Sequence, residues 1–416
     1  MRFTPACFAF AHALVLLASL PGLAHADDVP FIVIEGPAGL DARITTGQQL
    51  ATAVDAVITA YRDSGSEMPD VLSVWTTFPM SGSSIPTFFY PIANDITGTG
   101  LDSLYDRSGV PGGVFGSSDP PLRAILLHND ITTMDARAAQ HEAPTMGYAR
   151  YLFLLELSHV WGPQIAIPGA APQAMLAFDF HWSFYTDLGG SPAGGNLWID
   201  NGDGTFTTGA QDPQSVRYSM LDLYLMGLAT AEEVPPFGLL EDAVVPSDAR
   251  DPLSGRVVGS MTFPWFSDEP LTVEATRREL TIDDVIATNG ARSPAAGASP
   301  TMFTLGIALV VPAGASEAER AAWIERMTPI AASLAPAFED ATHGRGHLEV
   351  VTSTTLDPPA PDAGTPTSDA GVPSDAGSPA PTAGCACTAV RSRRAPGELA
   401  LVGVLGLALA LRRSKR

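Results

Sequence analysis

Residues 143 to 162 read "APTMGYARYLFLLELSHVWG", and this stretch limits the choice of fold more than any other. From Ala143 to Val160 apolar side chains fall on nearly every face of a helical projection, which predicts a helix inside the protein and not on its surface. Such a helix has to be covered on all sides, so the chain must supply a sheet and further helices around it. Two residues in it resist burial, Glu156 and His159. Taking a carboxyl and an imidazole out of water costs on the order of a few kcal/mol unless each is paired or coordinated.

Residues three and four apart on a helix share a face. A zinc-hydrolase helix exploits that spacing. H-E-x-x-H presents two imidazoles as ligands, and the glutamate beside the first acts as general base on the bound water. Here Glu156 and His159 hold the base and second-ligand slots, while Leu155 stands where the first imidazole belongs. Glu-x-x-His alone is a weak signal, because a hydrogen-bonded pair on a buried helix explains it equally well.

The rest of the globular part predicts an α+β fold, with helices and an incomplete sheet in separate layers. Strands are expected at "VPFIVIEG" (29–36), "MPDVLSVWTTFP" (68–79), "TFFYPIAND" (87–95, interrupted by Pro91) and "LRAILLHND" (122–130), and near "GRVVGSMTF" and "TMFTLGIALVV". Leu50, Val54, Val57, Ile58 and Tyr61 recur at helical spacing within 46–65. Asn201-Gly202 and Asp203-Gly204 between "LWI" and "TFTT" mark a tight hairpin. A short helix begins at "YSMLDLYLMGL" and ends near Gly227, and a longer one, "SEAERAAWIERMTPIAASLA", opens on a Ser316-x-x-Glu319 capping box. The division that follows is an N-terminal α/β part over 27–120 and a core with a C-terminal lobe over 121–355.

The two ends carry different information. Arg2, an apolar stretch and "GLAHA" form a signal peptide over residues 1–26, cut after Ala26, and Cys7 leaves with it. Residues 356–384 contain three Asp-Ala-Gly units and no large apolar side chains except Leu356 and Val372, the composition of a solvated spacer. Residues 385–416 combine Cys385 and Cys387, an apolar run from Leu399 to Leu411 and a terminal "RRSKR". That run is short against the roughly 20 residues of a bilayer span, so a processed sorting tail accounts for the order of parts better than a transmembrane anchor. Loss of Arg2, of the seven basic residues beyond Cys387 and of Glu398 moves the formal charge from −22 to −29. So acidic a surface repels phosphate backbones and argues against nucleic-acid binding. With only Cys385 and Cys387 remaining, the domain depends on core burial without disulfides.

Two resemblances add to this reading. The tail resembles the C-terminal sorting signal of myxobacterial surface proteins, which implies removal of the hydrophobic end and anchoring at the outer membrane or cell surface through Cys385 or Cys387. Residues 120–240 resemble myxobacterial secreted proteins with a zincin-like metallopeptidase domain. The shared elements are Val160-Trp161-Gly162 after the helix, His181-Trp182-Ser183, "GGSPAGGNLWID" (189–200), "YSMLDLYLMGL" (218–228) and Pro235-Pro236-Phe237, in that order. The resemblance implies a zincin-like fold with a buried active-site helix, a mixed sheet and a loop-rich second lobe. It makes Glu156 the general base, His159 and His181 zinc ligands, and Tyr218 or Tyr224 a donor to an oxyanion. Leu155 departs from the pattern, since leucine has no lone pair to give. Three arrangements follow: a lost site, with zinc held weakly or not at all; a substitute ligand, His128 or His141; or Glu156 joining His159 and His181 in a two-histidine, one-carboxylate set. The functional expectation is a secreted, surface-anchored metallopeptidase homologue, impaired as an enzyme. The alternatives are an active zinc peptidase with a substitute ligand, or a non-catalytic domain binding a peptide or protein partner.

The other candidates are weaker. "DNGDGT" (200–205) has the oxygen density of a calcium loop without the downstream bidentate glutamate, "GGSPAGG" lacks the lysine of a phosphate loop, and His343 and His347 in "HGRGH" are expected to be exposed.

Overall fold

The computed structural model describes residues 29–36, 47–79, 87–100, 122–140, 145–169, 175–177, 181–252, 255–260, 262 and 264–351. The predicted signal peptide, the spacer, the sorting tail with Cys385 and Cys387, and His141 lie outside the described residues. The architecture is mixed, with two sheets and six α-helices among the described residues, as expected of an α+β chain at the coarse level.

The first sheet is built from β1 (Ile32–Glu35), β2 (Val71–Thr76), β3 (Thr87–Pro91), β4 (Ala124–His128), β12 (Met302–Val311) and β13 (His347–Val351). Its order is β1-β12-β2-β4-β3, and all pairings are parallel except that of β3 with β4 at the edge. β13 pairs with Met302–Gly306 of β12, and β1 pairs with Ala308–Val311. The strand β2 opposes Leu305–Val310.

The alternation of side chains separates two cores. Val71, Trp75, Ala124, Leu126, Leu305, Ile307 and Leu309 point to one face, and Leu72, Val74, Ile125, Leu127, Ala308 and Val310 to the other. The helix α1 (Gly47–Asp63) covers the second face through Val54, Val57, Ile58 and Tyr61. The first face is covered by α3 (Thr145–Ser158) and α6 (Glu317–Ala341), with α2 (Met134–Gln140) packed beside α3. Coverage on both faces is why these strands are continuous runs of Val, Leu and Ile instead of alternating ones. The helix α3 is accordingly buried at almost every position from Tyr148 to Ser158.

The second sheet contains β5 (Leu176–Ala177), β6 (His181–Asp187), β7 (Gly194–Asn196), β8 (Trp198–Asp200), β9 (Thr205–Thr208), β10 (Phe237–Val244) and β11 (Thr272–Leu280). Its order is β5-β6-β10-β11-β9-β8, with β7 beside β6. β8 and β9 are the hairpin predicted from Asn201-Gly202. The helix α4 (Met220–Met226), ended by Gly227 at φ 79°, joins the two lobes. Leu223 and Met226 enter the core beneath the first sheet, while Leu221, Tyr224 and Leu225 enter that of the second. The remaining helix, α5 (Ile282–Asn289), packs Ile282 and Val285 against that second core.

Two expectations are corrected. The stretch "GRVVGSMTF" forms no strand among the described residues, only an isolated bridge between Arg250 and Val257, and Val257 is 63% exposed. Val258 is buried in the core of the second sheet while Val257 faces solvent, so pairing at Val257 buries no side chain. The strands β10 and β11 escaped the sequence because their outer faces carry charge, as in "TVEATRREL".

The burial pattern sets a clear contrast. Leu126→Ala, at a site with no exposed surface, will lower the unfolding free energy by about 3 kcal/mol. Ile199→Ala on β8, where Ile199 is 51% exposed, will change it by no more than about 0.5 kcal/mol. Chemical denaturation of the two variants measures both.

Candidate functional site

The site begins where α3 ends. The Ser158 hydroxyl donates to the carbonyl of Leu155 at 2.6 Å, competing with the helical ladder. The next turn tightens: His159 N donates to Glu156 O at 3.3 Å, and Val160 N to Leu157 O at 3.1 Å. In such a turn residues three apart eclipse each other, so His159 lies over Glu156, with Nε2 4.0 Å from Oε2. His181 is the first residue of β6, and its ring meets that of His159 edge to face, with centroids 4.7 Å apart at 84°. Phe89 of the edge strand β3 packs on the other side of His159, with ring centroids 5.6 Å apart. His159 thus lies near Glu156, three positions before it, and against His181, 22 positions after it, where α3, β3 and β6 converge.

Burial sets the electrostatics of this cluster. Glu156 is 4% exposed, and desolvation raises its carboxyl from 4.5 to about 8. The same cause lowers the imidazole of His181 from 6.5 to about 4. Near neutral pH, with no cation bound, Glu156 is therefore largely protonated and His181 neutral. Those states offer a proton donor and an imidazole acceptor.

Leu155 is buried at 4% exposure, yet among the described residues it joins none of the four apolar clusters. It shares its helix face with His159, four residues on, and with Tyr151, four residues back. Tyr151 was not singled out from the sequence, although the 151/155/159 spacing marks that face. Its hydroxyl is buried with no hydrogen-bond partner among the described residues. Burial, then the neighbouring Tyr148, Glu156 and Asp251, push its phenol well above the ordinary tyrosine value.

The two expected oxyanion donors lie elsewhere. The hydroxyl of Tyr218 donates to the carbonyl of Leu154 at 2.7 Å, tying α3 to the start of α4. That of Tyr224 accepts from the backbone N of Arg292 at 3.0 Å. Both rings are buried as packing elements. The proposed substitute ligand His128 is fully buried on β4, stacked on Trp75 with centroids 4.1 Å apart, and its Nδ1 meets Thr87 Oγ1 at 2.8 Å. Its described contacts hold it in the first sheet and include neither His159 nor His181. His343 is exposed, as expected, and His347 is half-buried; both lie near the end of α6, where His343 Nε2 meets Tyr218 O at 3.0 Å and His347 Nδ1 faces Glu339 at 3.6 Å.

The motifs around the cluster have a structural explanation centred on Asp222. This carboxylate is 4% exposed. It accepts the indole N–H of Trp182 at 2.7 Å, the backbone N of Ser219 at 2.8 Å and the Ser219 hydroxyl at 2.6 Å, and it also bonds the hydroxyl of Ser191. Ser219 returns the bond to Asp222 N, completing a capping box on α4. One side chain thus joins "HWS", "GGSPAGGN" and "YSMLDLYLMGL", and it fixes β6 immediately after His181. In the same loop Gly194 passes so close to β6 that a Cβ would stand 2.6 Å from the carbonyl O of Trp182. Asn196, fully buried, donates to Phe184 O and accepts from Gln211 and from Trp265 N.

A catalytic zinc does not fit these residues in the way the resemblance implies. Such sites use three protein ligands with an open fourth position, and one of the three positions here is a buried hydrocarbon. Among the described residues no group of three or more His, Cys, Asp or Glu is arranged to hold a metal ion. Two grooves among the described residues, at Thr132–Trp323–Arg326 and at Asp203–Asp242–Glu274, do not include the cluster.

Two outcomes are expected. Asp222→Ala removes the cap and leaves the Trp182 and Ser191 donors without their acceptor, and will lower stability by about 3 kcal/mol in denaturant titrations. The second concerns acid. Burial holds His128 down at about 3 from 6.5, so below pH 6.5 the unfolded chain takes up a proton that the folded chain refuses. Stability therefore falls on acidification through that window. His128→Asn will flatten the slope of Tm against pH between 6.5 and 4, leaving the opposed parts due to His181, lowered to about 4, and Glu156, raised to about 8, whatever its effect at neutral pH.

Comparison of the chain with protein-family models, curated proteins and solved structures gives no significant match.

Proposed function

We propose that this chain is an exported, surface-anchored zincin-like protein whose peptidase centre has been converted into a metal-free Glu–His–His cluster serving a peptide or protein partner. The observation that carries this reading is the pairing of convergence with loss. His159 lies 4.0 Å from Glu156 and packs its ring on His181, which supports the reading, while Leu155, in the position of the missing ligand, is a buried side chain that coordinates nothing. The helix α3 sandwiched under a largely parallel sheet, with an antiparallel edge strand reaching His159, agrees with a zincin-like core.

The chemistry that remains is recognition. A protonated Glu156 donates a hydrogen bond and a neutral imidazole accepts one, which suits uncharged amide groups of a peptide better than a metal-bound water. Without a positive centre to polarise a carbonyl, the glutamate lacks the partner that makes it a useful base in this class of site. The expected signal peptide, spacer and cysteine-containing tail support a location outside the cell. No helix among the described residues is long and apolar enough to cross a membrane, and anchoring is assigned to the tail.

Metal analysis of the purified full chain, together with a peptide-hydrolysis assay, tests the reading. The expected result is no stoichiometric zinc and no hydrolysis, with Leu155→His gaining zinc. Stoichiometric zinc in the unaltered protein, with hydrolysis that Glu156→Gln abolishes, would overturn it.

A further inference from the structure

Two Asn-Gly pairs lie in the described residues, and their surroundings are opposite in chemical character. Asn201-Gly202 occupies the exposed tip of the β8–β9 hairpin. The N–H of Gly202 donates to the carboxylate Oδ1 of Asp200 at 2.7 Å. The Asn201 side-chain Nδ2 lies 2.9 Å from the hydroxyls of both Thr205 and Thr207. Thr205 is held in turn by Asp203, whose carboxyl is kept below its ordinary value by the hydroxyl and backbone N–H of Thr205. Gly202, at φ 80°, has open space on its side-chain side.

Asn289-Gly290 closes α5 and is locked. Asn289 Nδ2 donates to Ala166 O and Val285 O, each at 2.8 Å, and its Oδ1 accepts from Ala166 N at 3.1 Å. The Gly290 N–H is committed to Ile286 O at 2.8 Å, a carbonyl that cannot take a proton.

We propose that Asn201 is a self-modification site at which the hairpin assists its own deamidation. The backbone nitrogen of Gly202 attacks Cγ of Asn201, forming a new C–N bond, and Asp200 accepts the proton that this nitrogen loses. The Cγ–Nδ2 bond breaks, and a proton relayed through the Thr205 and Thr207 hydroxyls from solvent lets Nδ2 leave as ammonia. Water then opens the cyclic imide to aspartate or isoaspartate. No oxidant, metal or second protein is required. The product loses the two Nδ2 hydrogen bonds that tie the turn to β9, and it adds a carboxylate between Asp200 and Asp203. Like charges packed in that way loosen the hairpin.

Peptide mapping by mass spectrometry of the full chain, aged at neutral pH, tests this. The expected result is conversion at Asn201, seen as a gain of one mass unit with release of ammonia, while the Asn289 peptide stays unconverted in the folded protein. In denaturant both pairs should convert at similar rates, which shows that the fold makes the difference. Asp200→Asn keeps the hydrogen-bond acceptor but not the base, and conversion in the folded protein will slow several-fold. Equal conversion at the two pairs in the folded protein, no conversion at Asn201, or an unchanged rate in Asp200→Asn would each overturn the proposal.

Discussion

The buried carboxylate of Asp222 is the interaction on which the second lobe depends. It sits at the first turn of α4, where the unpaired N–H groups of a helix favour negative charge, and it spends its remaining hydrogen-bonding capacity on Trp182 and Ser191. Three segments that are distant in sequence therefore acquire one common point. Because α4 also sends side chains into both apolar cores, the same carboxylate fixes how the second sheet meets α3. His181 reaches His159 because the residue after it is held there. Burial raises the Asp222 carboxyl above its ordinary value, and the hydrogen bonds from Ser219, Trp182 and Ser191 act against that shift, as expected of a charge whose desolvation is offset by donors.

What the sequence disclosed follows from how local each signal is. The helix α3, the α1 stripe of Val54, Val57, Ile58 and Tyr61, the Ser316 capping box and the Asn-Gly hairpin are set by neighbours within one or two turns, and each appears where expected. The strands β2, β4 and β12 were legible because both faces are buried and the runs are apolar throughout. β10 and β11 were not, because charged residues on an outward face hide the period that would reveal them. β13 was missed because "HLEVV" is short, and its identity comes only from pairing with β12, about 45 residues earlier.

The site divides along the same line. The approach of His159 to Glu156 follows from helical spacing, whereas the contact of His159 with His181 has no local signal and was suggested only by resemblance. Tyr218 and Tyr224 looked like donors because a tyrosine in a patterned segment carries a reactive hydroxyl, yet both hydroxyls serve the backbone. Which way a hydroxyl faces depends on packing from elements remote in the chain, and nothing in "YSMLDLYLMGL" encodes it. The Tyr151 hydroxyl, buried without a hydrogen-bond partner among the described residues, is the converse, a feature visible only once the elements around α3 are in place. Leu155 is different in kind. Its meaning was plain from one letter, because no packing can give a hydrocarbon a lone pair.

The long strand β12 carries β13 along the first half of one edge and β1 along the second half of that same edge. The opening and closing strands of the described fold thus dock in tandem on a single central strand. Mechanically, this makes β12 the spar of the first sheet. A pull on Val351 along the strand axis would load the five register pairs of β13 together, in shear, instead of opening them one at a time. Were the domain held at a surface by its C-terminal end, drag would pass through those pairs into a strand buried at eight of its ten positions.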